Sequence, residues 1–264
     1  MSENSVQVLK NAEALRERTK ASVDILYVSD VGLHLDFAVQ TRKTFYDEFV
    51  ASLAMDYRQK MKEQIEQSGI QGEAIFKEGD IAETINTLLT NGKEKYDLLI
   101  IGHNSKRGLF QHLLGSTARK LLSSVSVPTL IIKEDLKFNK MGSLVECEGP
   151  VDWMITSSLD FYRSLGFKEM EFISLWHENG QRSKEKMEEE VRYFLHGNEK
   201  PIILVRPAGE FQVAQELFEI VKEEKIDLAI MKRNRGQKLK KMVLGSETLR
   251  MLEMEGINLL ILPV

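Results

Sequence analysis

With a single cysteine, Cys147, among 264 residues, the chain can form no internal disulfide. Without a second cysteine that thiol also offers neither a redox pair nor the paired ligands of a zinc site, so it reads as an ordinary buried thiol. No apolar run approaches the roughly 20 residues of a membrane span. The opening segment, Met1 to Lys10, lacks the basic-then-apolar pattern of a signal peptide, so the expected location is cytoplasmic with no membrane partner. Positive charge is not in excess either: 36 Lys and Arg stand against 40 Asp and Glu, a formal net charge of -4. Binding nucleic acid or anionic lipid through counterion release needs a clustered basic surface, so broad nucleic-acid binding is disfavoured. Neither a Walker A sequence nor G-x-G-x-x-G occurs, which argues against a P-loop motor and a dinucleotide-dependent oxidoreductase.

What is present is the composition of a folded globular protein, 42% apolar and 29% charged, and enough length for two domains that each bury a core. The chain also repeats itself. Asp97-Leu-Leu-Ile-Ile-Gly102 aligns with Asp227-Leu-Ala-Ile-Met-Lys232, and Leu114-Gly115-Ser116 with Leu244-Gly245-Ser246, without gaps at an offset of 130. Gly79-Asp80 against Gly209-Glu210 and Val127 to Ile132 against Ile257 to Leu262 obey the same offset. A duplication explains this, with expected units of residues 1–136 and 137–264 and the charged stretch Lys133 to Lys140 as linker.

Within the first unit, Val23 to Val28, Glu73 to Lys77, Asp97 to Gly102 and Thr129 to Lys133 are apolar runs of strand length. Helical spacing separates them: Ile81, Ile85, Leu88 and Leu89 behind an Asp80/Glu83 capping box, then Leu114, Ala118, Leu121, Leu122 and Val125. The second unit adds expected strands at Ser143 to Glu146, Glu171 to Trp176, Pro201 to Val205, Asp227 to Met231 and Asn258 to Leu262. Alternation of this kind implies an α/β fold, two tandem doubly wound parallel-sheet domains with strand order 3-2-1-4-5. The first unit opens directly into helical sequence, Ser5 to Arg18, so the central first strand of its sheet is missing. Either the chain begins late or another segment fills the gap.

The main chemical signal is the segment from Ile101 to Thr117. Gly102 leaves a strand without a side chain and Gly115 does the same before a helix, so a ligand can approach the backbone closely. Ser116 and Thr117 offer hydroxyls beside the unpaired amides and positive dipole end of that helix, where phosphate fits, and Lys106 and Arg107 could add charge-assisted contacts. The segment resembles the universal stress protein signature: glycine, two residues, glycine, nine residues, then glycine and serine or threonine. Gly102, Gly115 and Ser116 match, Ser105 stands where the middle glycine is expected, and Ser126-Val-Pro-Thr-Leu-Ile-Ile132 resembles the last strand of that family.

The resemblance implies that ATP, with or without Mg²⁺, meets Gly102, Asn104, Ser105, Gly115, Ser116 and Thr117 through its phosphates and Val28 through its adenine. It further implies an aspartate ending the first strand, and Met1 to Ser5 resembles the residues that follow such an aspartate. A side chain at Ser105 in a left-handed conformation costs roughly 1 to 2 kcal/mol, which corresponds to binding about tenfold or more weaker than a full motif. In the second unit Lys232 and Arg235 replace the first two glycines, leaving Gly245-Ser246, so that unit is expected not to bind ATP. Its basic loop, Lys232, Arg233, Arg235, Lys238, Lys240 and Lys241, reads as a solvated face, with an anion or acidic-partner site as the alternative.

His103 and His112 lie near the first loop without a nucleophile in a recognisable motif, and Glu188 to Glu190 read as an exposed helix face; neither group is assigned chemistry. No general base or metal ligand set is evident, so enzymatic activity is expected to be slow ATP hydrolysis at most. The expected function is a stress-response regulator that binds adenine nucleotide through its first unit, alone, as a homodimer or with a protein partner. The alternative is a nucleotide-free scaffold in which the two units pair through their last strands, as the resemblance implies. An enzyme on this fold, such as a nucleotidyl transferase, ranks last because no catalytic set is found.

Overall fold

The computed structural model describes residues 3–29, 52, 55–56, 58–63, 65–67, 69–70, 72–91, 95–102, 116–145, 151–176, 183–195, 200–207, 213–233 and 246–263. In chain order the first half supplies α1 (Glu3–Thr19), β1 (Ile25–Ser29), β2 (Ala74–Glu78), α2 (Ile81–Asn91), β3 (Leu99–Gly102), α3 (Ser116–Ser124) and β4 (Thr129–Ile132). The second supplies β5 (Lys140–Leu144), α4 (Asp152–Leu165), β6 (Glu169–Trp176), α5 (Lys184–Tyr193), β7 (Ile202–Pro207), α6 (Val213–Glu223), β8 (Leu228–Lys232), α7 (Ser246–Glu253) and β9 (Asn258–Leu262). Among the described residues no helix is long and apolar enough to cross a membrane.

The strands of the second half lie in the order β7-β6-β5-β8-β9, all parallel, which is 3-2-1-4-5 with β5 at the centre. The first half follows the same plan with one position empty among the described residues. β1 pairs with β2 and β3 with β4, both parallel, but no described strand joins β1 to β3.

The halves meet where β4 runs antiparallel to β9, giving a continuous sheet in the order β3-β4-β9-β8-β5-β6-β7. Leu130 pairs with Leu260, its own counterpart at the repeat offset. Pairing of equivalent residues is the signature of a twofold axis through that point, so the duplicated halves face each other as the subunits of an isologous dimer would. β4 and β9 are entirely buried, because helices cover both of their faces and the strands read as continuous apolar runs.

One core layer, including Leu130, Met141, Ile155 and Phe172, sits under α1, α4 and α5; the other, including Ile131, Ile173, Phe218 and Leu252, sits under α6 and α7. Met187 and Val191 are the buried positions of α5, as the spacing of its sparse apolar residues requires. Two expectations need correction. The first strand of the second half is Lys140–Leu144, three residues upstream of the expected Ser143 start. The stretch between Lys133 and Lys140 is also no free linker, since Leu136 and Phe138 are buried, the Leu136 amide donates to Asn11 Oδ1 at 2.7 Å, and the Arg18 guanidinium lies over the Phe138 ring.

Candidate functional site

The carboxyl ends of β1, β2 and β3 and the amino ends of α2 and α3 form one edge of the first half, the edge on which open α/β sheets take ligands. β3 delivers Gly102 there, paired across the sheet with Ile132 and exposed. Helix α3 opens at Ser116, so Ser116 and Thr117 occupy its first turn, where amides lack intrahelical partners. Val28 lies in β1 opposite Lys77. Its half-buried side chain packs against the cluster of Ala82, Ile85, Leu121 and Val125 under α2 and α3, leaving its backbone for any ligand. The expected contacts Asn104, Ser105 and Gly115 lie outside the described residues, as do Lys106, Arg107, His103, His112 and Cys147.

Gly79 and Asp80 complete the edge. Gly79 has φ +139°, and an added Cβ would sit 3.0 Å from Thr84 Oγ1, so a side chain there is strained twice over. Asp80 caps α2 by accepting the Glu83 amide at 2.9 Å, as the capping-box pattern leads one to expect. Its second oxygen accepts from Lys120 of α3 at 3.0 Å, tying the amino end of α2 to the middle of α3. The Glu83 amide and the Lys120 ammonium hold the Asp80 carboxyl below the usual carboxylate range. Among the described residues no group of three His, Cys, Asp or Glu side chains is placed to hold a metal ion.

The matching edge of the second half is built differently. Lys232 takes the position of Gly102, paired with Leu262. Arg233, read in sequence as part of a solvated or anion-binding loop, is instead 2% exposed. It donates to the carbonyls of Leu122 at 3.0 Å and Val125 at 2.7 Å, at the carboxyl end of α3 in the other half. Those carbonyls have no intrahelical donors, and a cation at that end of the helix dipole is favoured. The remaining residues of the basic loop, from 234 to 241, lie outside the described residues.

Lys133 reciprocates from the first half. Its ammonium donates to the carbonyls of Met251, at 3.0 Å, and Met254, at the carboxyl end of α7. Burial pushes Lys133 down to about 8, with the charge of Glu255 opposing. Asn258, fully buried beside this contact, accepts the Lys133 and Glu134 amides and donates to the Asp227 carbonyl. Arg119 of α3 and Glu253 of α7 add an ion pair at 2.8 Å between the halves. None of these roles was legible beforehand, because a cap on a sequence-distant helix leaves no local pattern.

A sequence profile described as the universal stress protein family matches residues 1–133. A universal stress protein of Methanocaldococcus jannaschii is 26% identical over 136 residues, spanning 52% of this chain and 79% of its own. One from Bacillus subtilis is 28% identical over 140 residues, spanning 50% of this chain and 93% of its own. Among solved structures, a universal stress protein from Archaeoglobus fulgidus matches 100% of this chain and 93% of its own with a TM-score of 0.73 at 18% identity, a likeness of fold that runs through both halves. The profile covers half of the chain, and the chain belongs to the universal stress protein family.

Proposed function

We propose that residues 1–136 form a regulatory unit that binds ATP or another adenine nucleotide weakly in the cytoplasmic response to stress, and that residues 137–264 form its structural partner. The observation carrying this reading is the difference between the two equivalent edges. In the first half an exposed Gly102 ends β3 and Ser116 opens α3, while in the second half Lys232 stands in the place of that glycine. A glycine admits a phosphate to the strand end and a lysine side chain obstructs it. Val28, Asn104, Ser105, Gly115 and Thr117 belong to the same proposed site, with Mg²⁺ accompanying the phosphates. Hydrolysis is expected to be slow, since positioning is all the catalysis such a loop supplies.

Calorimetric titration with ATP, with and without Mg²⁺, tests the reading. One ATP per chain is expected, abolished by Gly102→Leu with the circular dichroism spectrum unchanged, because position 102 is exposed and a side chain there disturbs no core. A flat titration of folded protein, two ATP per chain, or undiminished binding by Gly102→Leu overturns it. The second reading, a nucleotide-free scaffold acting through protein partners, is favoured by the pairing of β4 with β9.

A further inference from the structure

Helix α3 is shared between the two halves. Leu121 and Val125 pack with Ala82 and Ile85 of α2, in the cluster that also takes Val28. Leu122, 1% exposed, belongs instead to a cluster of the second half, with Ile173, Met251 and Leu252. Arg119 reaches Glu253 of α7, and the carbonyls of Leu122 and Val125 accept from Arg233. The amino end of this nine-residue helix opens at Ser116, on the edge to which β3 delivers Gly102.

The grip of Arg233 on α3 differs in kind from that of α2. From α2 the polar ties run between exposed side chains, Asp80 to Lys120 and Asn86 to Ser124. Arg233 is buried and bonds the helix backbone itself. Its own amide donates to the Leu262 carbonyl at 2.9 Å, extending the ladder of β8 and β9, so the side chain is rooted in the sheet. It also follows directly on Lys232, the residue that stands in the place of Gly102. The second half therefore holds the other half's helix from its own equivalent edge.

We propose that Arg233 is a positioning residue for the nucleotide site of the first half: by gripping the carboxyl end of α3, it sets where the amides of Ser116 and Thr117 stand for a phosphate. This inference rests on the nucleotide reading above and names the residue through which the second half serves that site. Two effects act in the same direction. A cation at the carboxyl end of a helix offsets its negative pole, which leaves the positive pole at Ser116 more favourable to an anion. Groups that recognise a ligand must also hold their places to within about 0.5 Å, and a helix of about two and a half turns carries a constraint from one end to the other.

Calorimetric titration of the full chain with ATP, in the parent, Arg233→Met, Arg233→Lys and Ile155→Ala, tests the proposal, with circular dichroism showing which variants are folded. Ile155 is fully buried in the core layer that does not contain Leu122, so truncating it lowers stability without touching α3. Arg233→Met is expected to weaken ATP binding by about fivefold or more, the lower range of ordinary coupling between sites. Arg233→Lys is expected to fall between the parent and the methionine variant, and Ile155→Ala to bind as the parent does despite a lowered urea midpoint. Where Arg233→Met does not fold, the comparison of Arg233→Lys with Ile155→Ala carries the test. Undiminished affinity in the folded Arg233 variants, or an equal loss in Ile155→Ala, overturns this proposal and leaves the nucleotide reading standing. A flat titration of the folded parent overturns both.

Discussion

Replacing Arg233 by methionine tests the cross-half capping. The guanidinium makes two bonds to carbonyls of Leu122 and Val125, residues that are 1% and 2% exposed. Methionine keeps much of the length and removes the donors, so two carbonyls in a buried setting lose their partner. Leaving a buried polar group unpaired costs about 1–3 kcal/mol, and bringing a guanidinium out of water costs several kcal/mol that the variant recovers. A helix-end cation contributes up to about 2 kcal/mol where partly buried. The net expectation is a loss of roughly 2–4 kcal/mol for Arg233→Met and a smaller loss for Arg233→Lys, which keeps a charged donor at the helix end but on a shorter side chain. Urea unfolding followed by circular dichroism gives the magnitude, and the slope must stay unchanged for the comparison to hold. Hydrogen exchange gives the location: the last turn of α3 should open first, although the substitution lies in the other half. A midpoint within about 0.5 kcal/mol of the parent, the ordinary range for a surface substitution, or faster exchange confined to residues around 233, would refute the capping argument.

Lys133 gives a pH signature. Because its folded value lies near 8 and its ordinary value is 10.5, the unfolded chain holds more protons between those limits, so its contribution makes stability rise with pH across that window. Lys133→Met should remove that rise, up to roughly 3 kcal/mol, and urea midpoints of parent and variant at pH 7.5 and pH 10.5 check it; parallel midpoints would contradict the assignment. Glu171 of β6 is 1% exposed, and among the described residues its oxygens make no hydrogen bond, with the Lys140 ammonium 3.6 Å away. Burial and then Glu224 push this carboxyl up, with Lys140 opposing, so its contribution is most favourable below the ordinary carboxyl range and is lost as pH rises through the folded value. Glu171→Gln should therefore stabilise the protein at pH 7 and lose that advantage toward pH 4, as thermal melts at the two values would show.

The repeat offset made much of the fold legible, since an apolar run that recurs 130 residues later in the same company is a strand in both places. The capping box at Asp80 was readable from its own spacing, and the pairing of the last strands was what the family resemblance implied. The start of β5 was not, because Lys140 and Gly142 look like linker residues. In the folded chain a Cβ at 142 would lie 3.1 Å from Ile226 Cγ2 and 3.3 Å from Ile173 Cδ1, so the glycine marks close packing rather than a break. Charge misled in a similar way. Arg233 and Lys133 sit among solvated-looking residues, and only the approach of a helix from the opposite half gives them their partners. Of the candidate site, Gly102, Ser116 and the backbone of Val28 come to one edge, while the central loop residues lie outside the described portion.

The pairing of β4 with β9 also bears on how the protein behaves on dilution. Two separate chains that met through such a self-complementary edge would part as their concentration fell, whereas here both strands are tethered in one polypeptide and the local concentration of each for the other is fixed by the chain. The covalent duplication therefore turns an assembly step into a folding step, and the strand edge most able to recruit another copy is consumed internally. At the outer margin of the second half stands β7, carrying Arg206 and Pro207. Charged side chains and a proline are the features by which edges resist further growth, so the sheet ends where the chain does its own terminating.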